Sequence, residues 1–398
     1  MRDKRLLIVA AILMTTFLGF GIIIPVMPEI IKATDPVGFE KHTGYMLAVY
    51  SAVSFVLSPY WGGLSDRIGR RPIILIGVVG FAASFLLFGL ASGNITLMYL
   101  SRVLGGLFSG AVTSVIVAYV ADITAKEERT KGMAVVGMSI GMGFTFGPAF
   151  GGFLSLISLE APFFAASILA LITFLLALLK LKESLKPEQR RTAKAGPRVS
   201  RWTAFTGPLK YLYILAFFVT FTLAGLEATL QIFGMQRFAV TPLQVGILFF
   251  VCGLVGALIQ GGVVRRRVKK GEEPKYIAIG LILSAAGFFM LLAAHSLWWA
   301  TLSLAVFGAG NAMIRPCVTS LITQKTTVGQ GVASGLSSSM DSLGRIAGPL
   351  FGTFLFTVSM GLPYISGGVL CIAALLLLAR FRRLVDQSES EQTAAQEV

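Results

Sequence analysis

The apolar residues of this chain gather into runs close to the ~20 residues that one helix needs to cross ~30 Å of hydrocarbon, with short polar or charged joints between them. The pattern predicts spans at about 6–31, 42–64, 73–91, 96–121, 132–157 and 161–180, then 211–236, 242–264, 275–294, 297–322, 332–357 and 361–380. Twelve crossings account for nearly the whole chain. The expected fold class is therefore an all-α membrane protein.

The joints carry a second pattern. The longest interior one, about 181–210, holds Lys182, Lys186, Arg190, Arg191, Lys194, Arg198, Arg201 and Lys210 with scattered Pro and Gly, and it divides the chain into six spans and six spans. Gly143-Phe-Thr-Phe-Gly147-Pro148-Ala-Phe-Gly151 in the fifth span recurs as Gly344-Arg-Ile-Ala-Gly348-Pro349-Leu-Phe-Gly352 in the eleventh, an offset of 201 residues. Gly62-Gly63-Leu-Ser-Asp66-Arg67-Ile-Gly69-Arg70-Arg71 after the second span parallels Gly261-Gly262-Val-Val-Arg265-Arg266-Arg267-Val-Lys269-Lys270 after the eighth, an offset of 199. Two such matches at nearly one spacing indicate duplication. The expected organisation is an N-terminal six-helix bundle over 1–180, a basic cytoplasmic linker over 181–210, a pseudo-symmetric second bundle over 211–384 and a polar, disordered tail over 385–398, with a substrate site near the midplane between the repeats.

Composition agrees with burial in lipid, because 55% of the 398 residues are hydrophobic and only 13% are charged, too few to coat a soluble core of this size. A net charge of +15 would suit a nucleic-acid partner, but its placement points elsewhere. With a cytoplasmic N-terminus, Lys32, Lys41 and Arg237 lie outside, Arg102, Arg315 and Arg345 lie inside spans, and the other 28 of the 34 basic residues fall on cytoplasmic joints. That is the positive-inside rule, so a multi-pass protein of the inner (cytoplasmic) membrane is expected, with both termini cytoplasmic and no nucleic-acid partner. The first span is too long for a signal-peptide core and lacks a small-residue cleavage site, so it is expected to stay. Cys252, Cys317 and Cys371 show neither metal-ligand nor redox spacing, and His42 and His295 sit near outer span ends; no metal or cofactor is expected. No phosphate-binding Gly-x-x-x-x-Gly-Lys-Ser/Thr loop occurs, which excludes an ATP-driven pump, and two isolated histidines leave a membrane enzyme without a catalytic constellation.

The segment Gly62-Gly63-Leu-Ser-Asp66-Arg67-Ile-Gly69-Arg70-Arg71-Pro72 closely resembles the signature between helices two and three of the major facilitator superfamily. The glycine-proline segment of span five, Gly143-x-x-x-Gly147-Pro148-x-x-Gly151-Gly152, resembles the motif of its proton-driven antiporters, although Ala134 stands where that pattern usually opens with glycine. Arg102 in Leu-Ser-Arg-Val-Leu-Gly-Gly is similar to the family's fourth-helix arginine. Gly19-Phe-Gly21-Ile-Ile-Ile-Pro25-Val-Met-Pro28 and Met313-Ile-Arg315-Pro316 narrow the likeness to the twelve-helix bacterial drug:proton antiporters, which include quinolone exporters. The resemblance implies two six-helix bundles, alternating access, a monomer among membrane lipids, and export of amphipathic, often cationic drugs against protons. It also implies a charge lock of Asp66, Arg67 and Asp122, with Gly62, Gly69, Arg70 and Arg71 completing the gate. The alternative is a facilitator-family exporter of one metabolite such as a sugar, a polyamine or a lipid-linked compound.

Charges inside the membrane are costly and mark function. Glu227 and Asp341 are the two carboxylates well inside predicted spans, and Glu227 matches the family's seventh-helix glutamate. The aspartate expected just before Met313-Ile-Arg315-Pro316 is replaced by Ala312. Asp341 and Arg345 appear instead, four residues apart on one face of span eleven, at a depth where Arg315 can reach Asp341. Glu227 and Asp341, with Arg102, are the candidates for proton coupling; Arg315 and Arg345 are their charge partners. Asp341 can equally be a fixed structural partner of an arginine. Phe17, Phe20, Tyr50, Phe144, Gln231 and Asn311 are the candidate substrate contacts, since aromatic faces suit flat cations. Cysteines placed in 185–205 or beside Arg267 should react with an impermeant thiol reagent only from the cytoplasmic side; labelling from outside at either place would overturn the orientation.

Overall fold

The computed structural model of the protein describes residues 4–125, 128–185, 205, 207–269, 271–326 and 330–396. The linker residues Lys186, Arg190, Arg191, Lys194, Arg198 and Arg201 lie outside the described residues. Among the described residues the chain forms twelve helices: α1 (Lys4–Thr34), α2 (Phe39–Ile68), α3 (Arg70–Leu90), α4 (Ile95–Ile123), α5 (Arg129–Leu154), α6 (Ala161–Lys180), α7 (Leu209–Phe238), α8 (Pro242–Arg267), α9 (Glu273–Leu292), α10 (Leu297–Lys325), α11 (Gln330–Val358) and α12 (Leu362–Gln396). One π-helical turn, Gln260–Val264, interrupts α8. Several helices run to about 30 residues, or ~45 Å at 1.5 Å per residue, so they project beyond the hydrocarbon that their apolar runs match.

Eleven of the twelve are long and apolar enough to cross a membrane by length and composition. The exception is α11, where Ser337, Ser338, Ser339, Asp341, Ser342 and Arg345 dilute the apolar character that the other helices show. The tail expected to be disordered after 384 instead continues α12 as helix to Gln396. Its residues contain neither Gly nor Pro and are rich in Glu, Gln and Ala, so nothing in the local sequence stops the helix.

Contacts divide the chain into two compact units: Met1–Gly196 with Leu230–Phe250, and Pro197–Thr229 with Val251–Val398. The end of α7 and the start of α8 thus pack with the first unit. There α1 packs on α5 and α6, α4 on α2 and α3, and α3 on α6, around Val9, Ile12, Ile73, Val112, Tyr119 and Val120. The second unit places α9 against α10 and α12 around Leu212, Tyr213, Ile277, Ile314, Ile322 and Phe381. Duplication extends to local caps. Asn94 Oδ1 accepts from Leu97 N at 3.1 Å to start α4, and Ser296 Oγ accepts from Trp299 N at 3.3 Å to start α10.

Apolar helices gain little hydrophobic energy by associating inside lipid, so close backbone contact has to hold them together. The repeated glycines supply it. A Cβ added at Gly147 would stand 2.6 Å from Leu18 O of α1, and one at Gly151 would stand 2.5 Å from Ile22 O. In the second unit the same stripe of α11 lies on α7: a Cβ on Gly344 would be 2.8 Å from Phe221 N, and one on Gly348 would be 3.0 Å from Gly225 N. Gly348→Val should therefore destabilise the detergent-solubilised protein by about 1–3 kcal/mol, the usual cost of overpacking. Gly137→Ala, where an added Cβ meets nothing within 4 Å, should leave the unfolding midpoint nearly unchanged. Equal midpoints for the two variants in a thermal-unfolding assay would remove the glycine seam as a stabilising contact.

Candidate functional site

The joint between α2 and α3 shows how the first unit organises charge. Gly69 ends α2 at φ 112°, ψ 158°, a backbone conformation open to glycine, and this sharp break turns Arg70 back toward α2 as the first residue of α3. Arg70 Nη1 then lies 2.6 Å from Asp66 Oδ1 and donates to Ser65 Oγ at 2.6 Å, while its Nε donates to Asp122 Oδ2 of α4 at 3.1 Å. Arg70 is buried, with 8% of its surface exposed. The expected central cation was Arg67, but that side chain is exposed on the far side of the break and the guanidinium between the two aspartates is that of Arg70. Gly62 and Gly63 line open space at the end of α2.

Glu183, just past α6, completes this network and was not singled out from sequence. No side chain of its own joint caps α3, whose first amides would be left unpaired. Glu183 caps it from a distance: Oε1 accepts from Arg70 N at 2.9 Å and Oε2 from Arg71 N at 3.2 Å. Ser184 Oγ donates to Asp122 Oδ2 at 3.0 Å, and Arg71 Nη2 donates to Leu178 O at 2.7 Å. The one signal in the sequence is a carboxylate in a mostly basic joint.

The candidate substrate residues of the first unit form one aromatic cluster. Ring centroids of Phe17 and Phe144 lie 5.3 Å apart, those of Phe20 and Tyr50 5.4 Å, and those of Phe20 and Phe144 5.5 Å. Phe17, Phe20 and Phe144 are half-buried and pack on one another in tilted and edge-on contacts. Arg102 of α4 is 1% exposed, its guanidinium carbon 4.5 Å from the Phe88 ring centroid and 5.5 Å from that of Phe85. Its Nε reaches Ser101 Oγ at 3.4 Å, and its Nη2 is buried without a hydrogen-bond partner. Gln231 of α7 is fully buried and donates from Nε2 to Glu29 Oε1 of α1 at 3.0 Å. Pro148 and Gly152 of α5 face the start of α8: a Cβ on Gly152 would meet Pro242 O at 2.5 Å, and one on Gly246 would meet the Pro148 carbonyl carbon at 3.0 Å. Outside the spans, the backbone amides of Gly38 and Val37 bond Asp35 and hold its carboxyl below the usual carboxylate range.

The second unit holds two carboxylate–arginine pairs. Asp341 of α11 is fixed on both oxygens, Oδ1 accepting from Thr220 Oγ1 at 2.7 Å and Oδ2 from Arg315 Nη2 at 3.0 Å. Glu227 of α7 has no basic neighbour in its own helix, and its partner comes from across the seam: Arg345 Nη1 lies 3.5 Å from Oε2. Glu227 is 8% exposed, whereas the Arg315 side chain is 55% exposed. Asn311 lies apart from these pairs, in a small cavity with Phe218, Thr222, Ser284, Phe307 and Cys371. Among the described residues no group of histidine, cysteine and carboxylate side chains could hold a metal ion.

Known proteins share this architecture. A family model described as "Major Facilitator Superfamily" matches residues 9–329 and 271–398. Multidrug resistance protein 2 of Bacillus subtilis (strain 168) is 31% identical over 364 residues, covering 90% of each chain. Quinolone resistance protein NorA of Staphylococcus aureus (strain N315) is 28% identical over 380 residues, 94% of this chain and 96% of that protein. Among solved structures, the human organic anion transporter MFSD10 (TETRAN) superposes with a TM-score of 0.70 at 26% identity, covering 94% of this chain and 98% of that one. A bacterial homolog of the human lysosomal transporter Spinster, in an inward-facing and unoccupied conformation, gives 0.72 at 18% identity, covering 97% and 95%, a likeness of fold. With twelve helices in two related bundles, a family match along the chain and relatives aligned over nine-tenths of their length, the protein is a transporter of the major facilitator superfamily.

Proposed function

We propose that the protein exports amphipathic, often cationic drugs across the cytoplasmic membrane in exchange for protons, by alternating access. The names of its relatives support drugs as the substrate class, and the aromatic faces of Phe17, Phe20, Tyr50 and Phe144 are the kind of surface such compounds bind. It works as a monomer, and the gathering of basic residues on one set of joints supports cytoplasmic termini.

The observation that carries the proton coupling is the difference between the two carboxylate–arginine pairs. Asp341 is held at 2.7 and 3.0 Å by a hydroxyl and a guanidinium, so its charge is satisfied in place. Glu227 is deeper, and its bond to Arg345 stretches to 3.5 Å, well beyond the 2.7–2.9 Å of a firm charge-assisted bond. A carboxylate held that loosely can exchange Arg345 for a proton or for a drug cation. Facing outward, Glu227 takes up a proton, which lowers the cost of its burial and lets the closed states form. Facing inward, it releases that proton to the cytoplasm and its anionic form favours the cationic substrate. Competition of proton and drug for one carboxylate couples the two fluxes. Asp66, Arg70 and Asp122 hold the cytoplasmic gate in one of the two states, with Glu183 fixing the helix end on which Arg70 rides.

Gradient-driven efflux of a fluorescent cation from proteoliposomes tests this reading. Glu227→Gln, which mimics the protonated form, should keep equilibrium binding of neutral substrates and lose pH-driven efflux to background. Wild-type coupling in that variant would take Glu227 out of the mechanism, and a protein that moves one metabolite while ignoring dyes and quinolones would overturn the drug reading. Asp341→Asn should impair transport by freeing Arg315. Combining it with Arg315→Gln should restore most of the loss, and failure of that rescue would make Asp341 a proton carrier instead of a fixed partner.

A further inference from the structure

The two repeats place the same basic joint at the same point, yet treat its charge in opposite ways. In the α2–α3 joint, Arg70 is buried between Asp66 and Asp122, and Glu183 caps the following helix through the amides of Arg70 and Arg71. In the α8–α9 joint, Arg265 stands where the 199-residue offset places the counterpart of Asp66, so the repeat's acid has become a base. Arg265, Arg266, Arg267 and Lys269 are all exposed, and among the described residues none of these four side chains makes a hydrogen bond or ion pair. Two carboxylates follow within a few residues, and both are turned to other work. Glu272 Oε2 accepts from Lys269 N at 3.2 Å. Glu273 is 3% exposed; it accepts from Gly271 N at 2.6 Å, Gln324 Nε2 at 2.7 Å and Ser320 Oγ at 3.3 Å.

We infer that the α8–α9 joint, Arg265, Arg266, Arg267 and Lys269, is a binding site for the phosphate headgroup of an anionic glycerophospholipid. Four exposed cations in five residues without a side-chain partner among the described residues concentrate positive charge, and their place at the end of a membrane span puts them at headgroup level. The helix leading to them is suited to acyl chains. Leu254 and Leu258, one turn apart, are 46% and 66% exposed, and between them and Arg265 a Cβ on Gly261 or Gly262 would meet nothing within 4 Å. The extra residue of the π turn at Gln260–Val264 shifts the face on which the arginines emerge relative to that apolar stripe. Guanidinium groups suit the ligand, because each can offer two parallel N–H donors to phosphate oxygens. In the first repeat the corresponding cation, Arg70, is paired with aspartates instead. One joint is closed by its own acids and the other by lipid.

Native mass spectrometry of the full-length protein in neutral detergent, titrated with phosphatidylglycerol and, separately, phosphatidylcholine, tests the assignment. The wild type should retain phosphatidylglycerol over phosphatidylcholine. The variant Arg265→Gln/Arg266→Gln/Arg267→Gln should bind phosphatidylglycerol about tenfold or more weakly, given ~1 kcal/mol per basic residue near such a surface. Neutralising Arg380, Arg382 and Arg383 of α12 should change that affinity little. Equal retention by the wild type and the α8–α9 variant overturns the site, as does full displacement of lipid by inorganic phosphate, which would make the site one for a free anion. If the triple variant fails to accumulate, wild-type retention measured against rising salt decides: it should weaken steeply, and salt-independent binding would sink the proposal.

Discussion

The rest of the structure depends on how closely two backbones can approach where no hydrophobic force drives them together. In the second unit the seam of α11 on α7 does more than bind the helices. Gly344 abuts Phe217, Thr220 and Phe221, and Gly348 abuts Phe221 and Gly225. Arg345 follows Gly344 directly, and Glu227 lies two residues beyond Gly225, so the register that packs the glycines also brings Arg345 to Glu227 and Thr220 to Asp341. Any side chain in the seam would separate the acids from their partners. The first unit uses the same device for a different cargo, since a Cβ on Gly143 would stand 2.6 Å from Phe17 Cβ, and Phe17 is the edge of the aromatic cluster that Phe20, Phe144 and Tyr50 complete.

Buried charge obeys a second constraint, that a cation or anion removed from water must find compensation or face a large cost. Four different solutions appear. Arg70 has two aspartates, Asp341 has a hydroxyl and an arginine, Glu227 has a distant arginine, and Arg102 lies against the faces of Phe88 and Phe85 with one nitrogen unpaired. They rank from rigid to loose.

Much of this was legible in the chain of letters, and what was not has a common cause. Hydrophobic run length gave the helices, the 199- and 201-residue offsets gave the duplication, and short motifs gave the family, because each of these is local or periodic. The pairing of Asp341 with Arg315 could be anticipated from two helices running in opposite directions past one depth. By contrast, the choice of Arg70 over Arg67 turns on the positive φ of Gly69, and the role of Glu183 turns on where the end of α6 falls beside the start of α3. The bond of Glu227 to Arg345 needs the register of α7 against α11. Each of these is a relation between elements, and no spacing within one element encodes it. Helix α12 beyond 384 is the reverse case: polar composition suggested disorder, while the absence of Gly and Pro left the helix free to continue.

Duplication followed by divergence explains why the two repeats share glycines and caps but not charges. Backbone contacts tolerate no substitution, so Gly147 and Gly348, with Pro148 and Pro349, remain in register 201 residues apart, and Asn94 and Ser296 start equivalent helices. Side-chain charges are free to change once two copies exist. The first unit keeps the acids of its joint beside an aromatic cluster; the second places a base at the joint position of Asp66 and carries its arginine-paired acids on α7 and α11. Divergence of charge on a fixed backbone leaves one unit with the aromatic cluster and the other with the acid–arginine pairs of α7, α10 and α11.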